Sequence, residues 1–457
     1  MARKNFIGMW EESAFQEDFS SERVFMRKTF LCNSPESVQF AFNLKNASFE
    51  RKSPQMRHAL DPLVGDGLFI SDGATWRRRR KIVAPIVHTN RLADFAPVMV
   101  ETAVETRERW AAHENQTLDV LAEMAHLTAE VICRTMFGRQ LGREHTGEIV
   151  QGFRDYQDVI GQTDLISFLG LPDWVPRWYS PAVRRATQRI HRVLDRVVAD
   201  FIAGGNTGEA SVIRQLIEAR DEETDEALSK DAIRNEVAVL FMAGHETTAN
   251  SLAWTWYLLS QSPEVEARLH RELDTVLGGR APTLADVAKL VYTRAIFDEA
   301  LRLYPPVPIL PREALVEEAF QGQTIPKGSV LVVVPWLLHR NKKLWNKPDH
   351  FIPERFLPGS GEPVSKFAYV PFSIGPRFCA GMYFGLTEAL LTLATLAQRF
   401  RLRLKPGHEV NPVARLTLRP EGGLPMSIHA RSAIDPAASE PPSTETDVAA
   451  ACPFHHG

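Results

Sequence analysis

One segment restricts what this chain can fold into. From Ser229 to Ser262 it reads "SKDAIRNEVAVLFMAGHETTANSLAWTWYLLSQS". Apolar residues recur at helical spacing and, through the middle, occupy nearly the whole circumference. A helix that is apolar all round belongs inside a protein rather than on its surface. Pro263 ends it and opens "PEVEARLHRELDTVLGG", proline being welcome in a first helical turn. The remainder of the chain has to surround this helix.

Further helical patterns are available to do so. "FAPVMVETAVETRERWAA" (Phe95 to Ala112) and "TLDVLAEMAHLTAEVICRTMFG" (Thr117 to Gly138) repeat apolar residues three and four apart, the second before a glycine stop. "SPAVRRATQRIHRVLDRVVADFIAGG" (Ser180 to Gly205) is amphipathic, with an arginine-rich face. Between these lies "TDLISFLGLPDWVPRWYSP", an apolar, proline-punctuated connection suited to covering a cavity. Strand signals are short: "VFMRKTFLCN", "TIPKGSVLVVVPW", and "ARLTLRPEGGLPMSIHA", where "PEGG" reads as a hairpin turn. Neither repeat nor interior linker divides the chain before Ile434. Beyond it, "DPAASEPPSTETDVAAA" is polar and Pro/Ala-rich, the composition of disorder. The expectation is a mainly α domain with small β-sheets over 1–434 and a disordered tail over 435–457.

Lys and Arg total 53 against 56 for Asp and Glu, so no global basic excess points to nucleic acid. The opening "MARKNFIGMWEESAFQEDF" carries neither a signal-peptide core nor a membrane-spanning run, and no membrane anchor is expected. Four cysteines, Cys32, Cys133, Cys379 and Cys452, lie far apart with no CxxC spacing. That is no disulfide framework, and it predicts a reducing, cytoplasmic setting.

Cys379 stands in "PFSIGPRFCAG", a loop punctuated by Gly375, Pro376 and Gly381. The simplest role for a free cysteine is that of a small buried hydrophobe. The loop allows another. Backbone amides of a constrained turn can point at one sulfur, and the helical pattern after Gly381 puts a helix N-terminus nearby. Zinc would be under-ligated by one Cys with no neighbouring His. Haem iron needs a single axial protein ligand, and cysteinate is the ligand that favours O–O cleavage.

At this point the sequence resembles the cytochrome P450 superfamily, in its soluble bacterial type. "FSIGPRFCAG" fits the haem-binding pattern F-x-x-G-x-R-x-C-x-G at Phe372, Gly375, Arg377, Cys379 and Gly381. The resemblance implies a P450 fold with non-covalent haem b between the long helix and the Cys loop. It implies Cys379 as the thiolate ligand of the iron, Phe372 and Gly381 beside it, and Arg377 on a haem propionate.

Other segments resemble further signatures of that family. "FDEALRLYPP" sets Glu299 and Arg302 three apart on a helix, where side chains meet. On its own this is a surface ion pair of little worth. The resemblance makes it a buried triad completed by Arg355 of "PERF". "AGHETT" places Thr247 and Glu246 inside the apolar helix; Thr247 could simply bond back to its own helix, which bends helices. A buried charge such as Glu246 needs a reason. By resemblance Ala243 leaves room for dioxygen, Thr247 donates a hydrogen bond during its activation, and Glu246 relays protons. His245 falls on the variable position and is expected to pack.

"TWRRRRKIVAP" could be a nucleic-acid or membrane patch, but a helix spreads its charges around the axis. Trp76 and Arg80, four apart, share a face. They fit the family's W-x-x-x-R, which implies propionate contacts and leaves Arg77, Arg78, Arg79 and Lys81 solvated or facing an acidic electron donor. In "PPVPILPREAL" the resemblance makes Arg312 another propionate partner. Val307, Ile309 and Leu310, with Phe241, Met242 and Leu424, are either substrate-pocket lining or ordinary core.

The implied activity is a haem-thiolate monooxygenase that hydroxylates or epoxidises an apolar small molecule with O2. Electrons would come from a separate ferredoxin or flavodoxin-type donor and its NAD(P)H reductase. A peroxide-driven or oxygen-independent relative, such as an isomerase, is an alternative, although such members commonly lose the acid–alcohol pair. A haem sensor without turnover is another. The terminal "CPFHHG" reads as inert on its tail, and relative to the family little precedes "ESAFQEDF".

Overall fold

The computed structural model describes residues 5, 7–24, 26–138, 143–160, 175, 178–203, 211–221, 224–360, 363 and 365–431. Its longer helices are α1 (Pro54–Val64), α2 (Gly73–Ile86), α3 (Leu92–Ala111), α4 (Val120–Phe137) and α5 (Arg143–Val159), followed by α6 (Pro181–Ile202), α7 (Lys230–Gln261), α8 (Pro263–Leu277), α9 (Val291–Leu303) and α10 (Met382–Ala397). Strands β1 (Phe19–Val24), β2 (Arg27–Cys32), β3 (Arg51–Lys52), β5 (Leu310–Glu313) and β8 (Val330–Val333) form a sheet in the order β1-β2-β8-β5-β3, parallel only at β2–β8. A second sheet runs β4 (Thr117–Asp119), β12 (Pro425–Ala430), β9 (Phe400–Leu404). Two ribbons pair β6 (Glu318–Phe320) with β7 (Gln323–Ile325) and β10 (Pro412–Ala414) with β11 (Leu418–Pro420). The fold is thus mainly α with small sheets, as the sequence predicts.

The long buried helix is α7. Ser229 caps it by accepting from the Ala232 amide, Asp231 sits in its positive first turn, and Pro263 starts α8 directly after it. Its residues are buried on every side, Phe241, Trp254 and Trp256 among them. It packs on α4 closely enough that a Cβ on Gly244 would meet Ile132 Cδ1 at 2.9 Å. Thr128 of α4 donates to the His245 carbonyl at 2.9 Å, which ties the two backbones together.

Two strand readings change. "VFMRKTFLCN" is not one strand: Val24 pairs with Arg27, so the chain folds back into the β1–β2 hairpin. "PEGG" joins no hairpin either. β11 pairs with β10, whereas β12 pairs with β4 and β9, so this turn carries the chain between sheets. Gly422 and Gly423 take φ of +73° and +96° there, and a Cβ on Gly423 would come within 2.6 Å of Asp119. Most of the connection beginning "TDLISFLG", and the tail over 435–457, lie outside the described residues. Among the described residues no helix is long and apolar enough to cross a membrane.

Candidate functional site

The Cys loop, the middle of α7 and the N-terminal part of α2 border one cavity of about 270 Å³. Backbone bonds and charge hold its loop side. Cys379 N–H donates to the Phe372 carbonyl (2.9 Å) and Phe378 N–H to that of Gly375 (3.0 Å), which closes the turn. Gly375 has φ +75°, and a Cβ there would lie 1.8 Å from the Phe42 carbonyl oxygen. No other residue fits without moving backbone. Gly381 caps α10, and its amide bonds the Cys379 sulfur.

Cys379 is exposed to the cavity, yet the protein around it still pushes its thiol pKa up. The Gly381 amide, then the Arg80 and Lys52 cations, pull in the other direction. A thiol with that set of neighbours is poised to ionise when a Lewis acid arrives.

The arginines around the loop divide into committed and uncommitted. Arg377 lies over the Trp76 ring at 4.7 Å. It donates to three main-chain carbonyls, of Glu50 (2.6 Å), Ser71 (2.7 Å) and Leu68 (3.4 Å). Arg80 donates to the Phe378 carbonyl (2.9 Å) and covers that ring. Arg312 is different: it is 1 % exposed, and its Nη1 and Nη2 are buried with no hydrogen-bond partner. Burial first, then Arg377, push its guanidinium down to about 9. Arg312 is not itself in the cavity wall, but its neighbours Leu310 and Pro311 are, and a buried, unpartnered guanidinium beside them is a demand for an anion. The residues present therefore fit a group that offers both a metal to sulfur and carboxylates to the arginines.

On α7 the acid and alcohol are both at the cavity. Glu246 is buried and accepts from Thr417 Oγ1 at 2.6 Å, while Asn250 Nδ2 donates to that same hydroxyl at 3.1 Å. Thr247 Oγ1 donates to the Ala243 carbonyl at 2.6 Å, the back-bond that the bland reading of this residue allows. Ala243, Met242, Val307, Leu310 and Phe372 are in the cavity wall with them.

Three expected pocket residues are not. Phe241 is not in the cavity wall; its ring packs tilted on Phe153 (4.7 Å) and stacks with His245 (5.5 Å). Leu424 is fully buried, its amide held by Asp119 at 2.8 Å. Ile309 packs on the main core. For Phe241 and Ile309 a neighbour in sequence, Met242 and Leu310, takes the wall position. Residues with no local signal fill the rest, including Leu68, Phe69, Val212, Leu416 and Thr417.

Glu299, Arg302 and Arg355 come together in the interior. Arg302 donates Nε and Nη2 to the two carboxylate oxygens at 2.7 and 2.8 Å, and Arg355 Nε lies 3.4 Å from Oε1. Arg302 also reaches the carbonyls of His339, Pro348 and His350, so it pins the segment that leads to the Cys loop. Arg79 corrects an expectation. It is not solvated but 7 % exposed, paired with Asp66 (2.9 Å) and with Glu236 of α7 (3.4 Å). Only the fold brings those acids to it.

A family model described as Cytochrome P450 matches residues 9–425. Cyclooctatin synthase of Streptomyces melanosporofaciens is 36% identical over 411 residues, 88% of this chain and 86% of that protein. Cyclooctat-9-en-7-ol 5-monooxygenase of the same organism is 32% identical, covering 76% of this chain and 74% of its own. Pentalenene oxygenase of Streptomyces avermitilis is 30% identical over 81% of each. Among solved structures, the crystal structure of the cytochrome P450DA heme domain superposes with a TM-score of 0.79 at 26% identity, over 91% of this chain and 90% of that one.

Proposed function

The chain belongs to the cytochrome P450 family of oxidoreductases, and on that premise we propose that it is a haem-thiolate monooxygenase acting on an apolar, cyclic terpenoid substrate. The observation that carries the reading is one cavity bordered both by a lone thiol, Cys379, and by an acid–alcohol pair, Glu246 and Thr247. When bound, haem would supply the oxygen chemistry: O2, two electrons and two protons yield water and one oxygen atom inserted into the substrate.

The protein's part is to hold, orient and exclude. Cys379 would hold the iron. Trp76, Arg80, Arg312 and Arg377 would hold the porphyrin carboxylates, with Phe372 and Gly381 packed at the thiolate. Ala243, small at a crowded position, leaves space beside Thr247. Glu246 Oε1 holds or releases a proton through the hydroxyl it accepts from, Thr417 Oγ1, and Thr247 Oγ1, whose own proton goes to the Ala243 carbonyl, is the adjacent hydroxyl at the cavity. Apolar side chains at Leu68, Phe69, Val212, Met242, Val307 and Leu416 exclude water and give a hydrocarbon a surface to bury. The names of the bacterial relatives, pentalenene oxygenase and cyclooctat-9-en-7-ol 5-monooxygenase, support the cyclic terpenoid class. Electrons would come from a separate ferredoxin or flavodoxin-type donor with its reductase.

The test is spectroscopic first. The reduced, CO-bound protein should show the thiolate-type Soret band, and Cys379→Ser should lose it. Cyclic terpenes and terpene alcohols should shift the spin state of the wild type and give oxygenated product with O2, a donor protein and NAD(P)H. Absence of the band from the wild type sinks the haem-thiolate reading. Turnover with hydrogen peroxide but none with O2, a donor protein and NAD(P)H sinks the monooxygenase one.

A further inference from the structure

A second carboxylate of α7, Glu236, is fully buried and belongs to none of the sequence motifs. It does not border the cavity. Arg79 is its cation, yet the carboxylate lies closer to a backbone amide. Leu68 N–H donates to Oε1 at 3.0 Å and to Oε2 at 3.2 Å, whereas Arg79 Nε stands 3.4 Å from Oε1. Leu68 itself, with Phe69, is in the cavity wall.

The segment 65–71, between α1 and α2, is neither helix nor strand, so its place depends on side chains from elsewhere. It lies directly on α7: a Cβ on Gly67 would come within 2.7 Å of Val239 Cγ2. Asn235 Nδ2 donates to Asp66 Oδ1 at 3.0 Å, and Asp66 Oδ2 accepts from Arg79 Nη2 at 2.9 Å. From the other side Arg377 of the Cys loop donates to the Ser71 carbonyl at 2.7 Å and, more weakly, to that of Leu68 at 3.4 Å. The Leu68 peptide is thus held through its N–H by α7 and through its carbonyl by the Cys loop.

Burying a carboxylate is costly, and an apolar residue of similar size would cost less. What the charge supplies is direction: a strong acceptor at one fixed point outside the cavity, for a peptide whose side chain is inside it. We propose that Glu236 is a positioning residue for the substrate. Steadied by Arg79, it fixes the Leu68 peptide, and with it the wall that Leu68 and Phe69 present to a cyclic molecule. That wall sets which ring shapes the cavity accepts. The inference rests on reading the cavity as the site of an apolar cyclic substrate. Sequence reading passes over Glu236 because its partners, Leu68 and Arg79, reach it only through the fold.

The experiment compares full-length, haem-loaded wild type with Glu236→Gln and with the double variant Glu236→Met/Arg79→Met. The double variant removes both charges, so neither is left buried alone, but the Leu68 amide loses its acceptor. Amide exchange in peptides covering 66–71 should be about tenfold faster in the double variant. It should stay near wild type in Glu236→Gln, whose side-chain oxygen still accepts. The ratio of dissociation constants for imidazole and 4-phenylimidazole, read from the Soret shift, should move about tenfold in the double variant and less than about twofold in Glu236→Gln. The CO-bound Soret band should be the same in all three. A cyclic terpene that the wild type oxygenates mainly at one carbon should give a broader set of products from the double variant.

Unchanged exchange at 66–71 in the double variant overturns the proposal, and so does an unchanged azole ratio; Glu236 and Arg79 would then be no more than each other's charge partners. Faster exchange spread over the whole chain overturns it as well, because that is general destabilisation. If cyclic terpenes bind to no form while the azole ratio moves, Glu236 does set the wall and it is the terpenoid reading that fails. If the wild type takes up no haem, the haem reading fails and exchange at 66–71 alone decides this one.

Discussion

The loop Pro371–Gly381 and the apolar residues that share its cavity are held in place by different forces. The loop is fixed by main-chain hydrogen bonds, by a glycine pressed on the Phe42 carbonyl, and by arginines with named partners. The apolar wall is assembled from distant stretches of chain, among them those around Leu68, Val212, Met242, Val307 and Leu416, and holds together by packing. Hydrogen bonds and buried charges have geometric requirements, so few residues satisfy them. Packing asks only for volume and apolarity, so many residues do. Binding chemistry is therefore expected to be fragile on the loop side and substrate choice tunable on the other.

The largest effect should come from the ion-pair triad behind the loop. Glu299→Ala leaves Arg302 and Arg355 uncompensated in the interior, a loss of about 3–5 kcal/mol. It should give little soluble, haem-loaded protein, read from yield and the ratio of Soret to protein absorbance. Recovery of normally loaded protein would show that the carbonyl partners of Arg302 suffice.

Thr417→Val probes the polar spot in the apolar wall. It removes the hydroxyl that donates to Glu246 and accepts from Asn250, leaving buried groups unpaired at about 1–3 kcal/mol. The expected result is several-fold less product per reducing equivalent, more peroxide released and an intact Soret band. Thr417→Ser should recover most of the coupling. Equal coupling in Thr417→Val would mean that Glu246 does not work through this hydroxyl.

The smallest effect is a pH slope. Glu236 accepts from the Leu68 amide, and burial raises its carboxyl pKa from 4.5 to about 7 despite that bond and Arg79. Between those values the folded state keeps a proton that the unfolded chain releases. Stability should therefore fall as pH rises from 4.5 to 7 and level off above. Glu236→Gln should flatten that part of the profile in denaturant titrations. An unchanged slope would place the titration on another group.

Sequence reading served the two regions unequally for the same physical reason. Gly375, Arg377, Cys379 and Gly381 lie within seven positions, so their relation is set by one loop. Glu299 and Arg302 meet because helix geometry puts residues three apart on one face. For the apolar wall, composition told pocket from surface but not pocket from core. Met242 borders the cavity while Phe241, one position away, packs on Phe153. A rotation of about 100° along the helix makes that difference, and only the neighbours of α7 fix its zero.

By itself, then, the sequence determined what short-range geometry controls: the buried helix α7, the Cys loop, the spacing of Glu246 and Thr247, and the mainly α class. The tertiary structure alone decided what depends on distant segments meeting. It set Arg377 on carbonyls and left Arg312 unpartnered, buried Arg79 against Glu236, brought Thr417 to Glu246, and aligned Lys52 with Arg312. Local conformation is written in backbone propensity and periodicity. The partner of a buried charge is whichever group the fold delivers, and no window of sequence contains both.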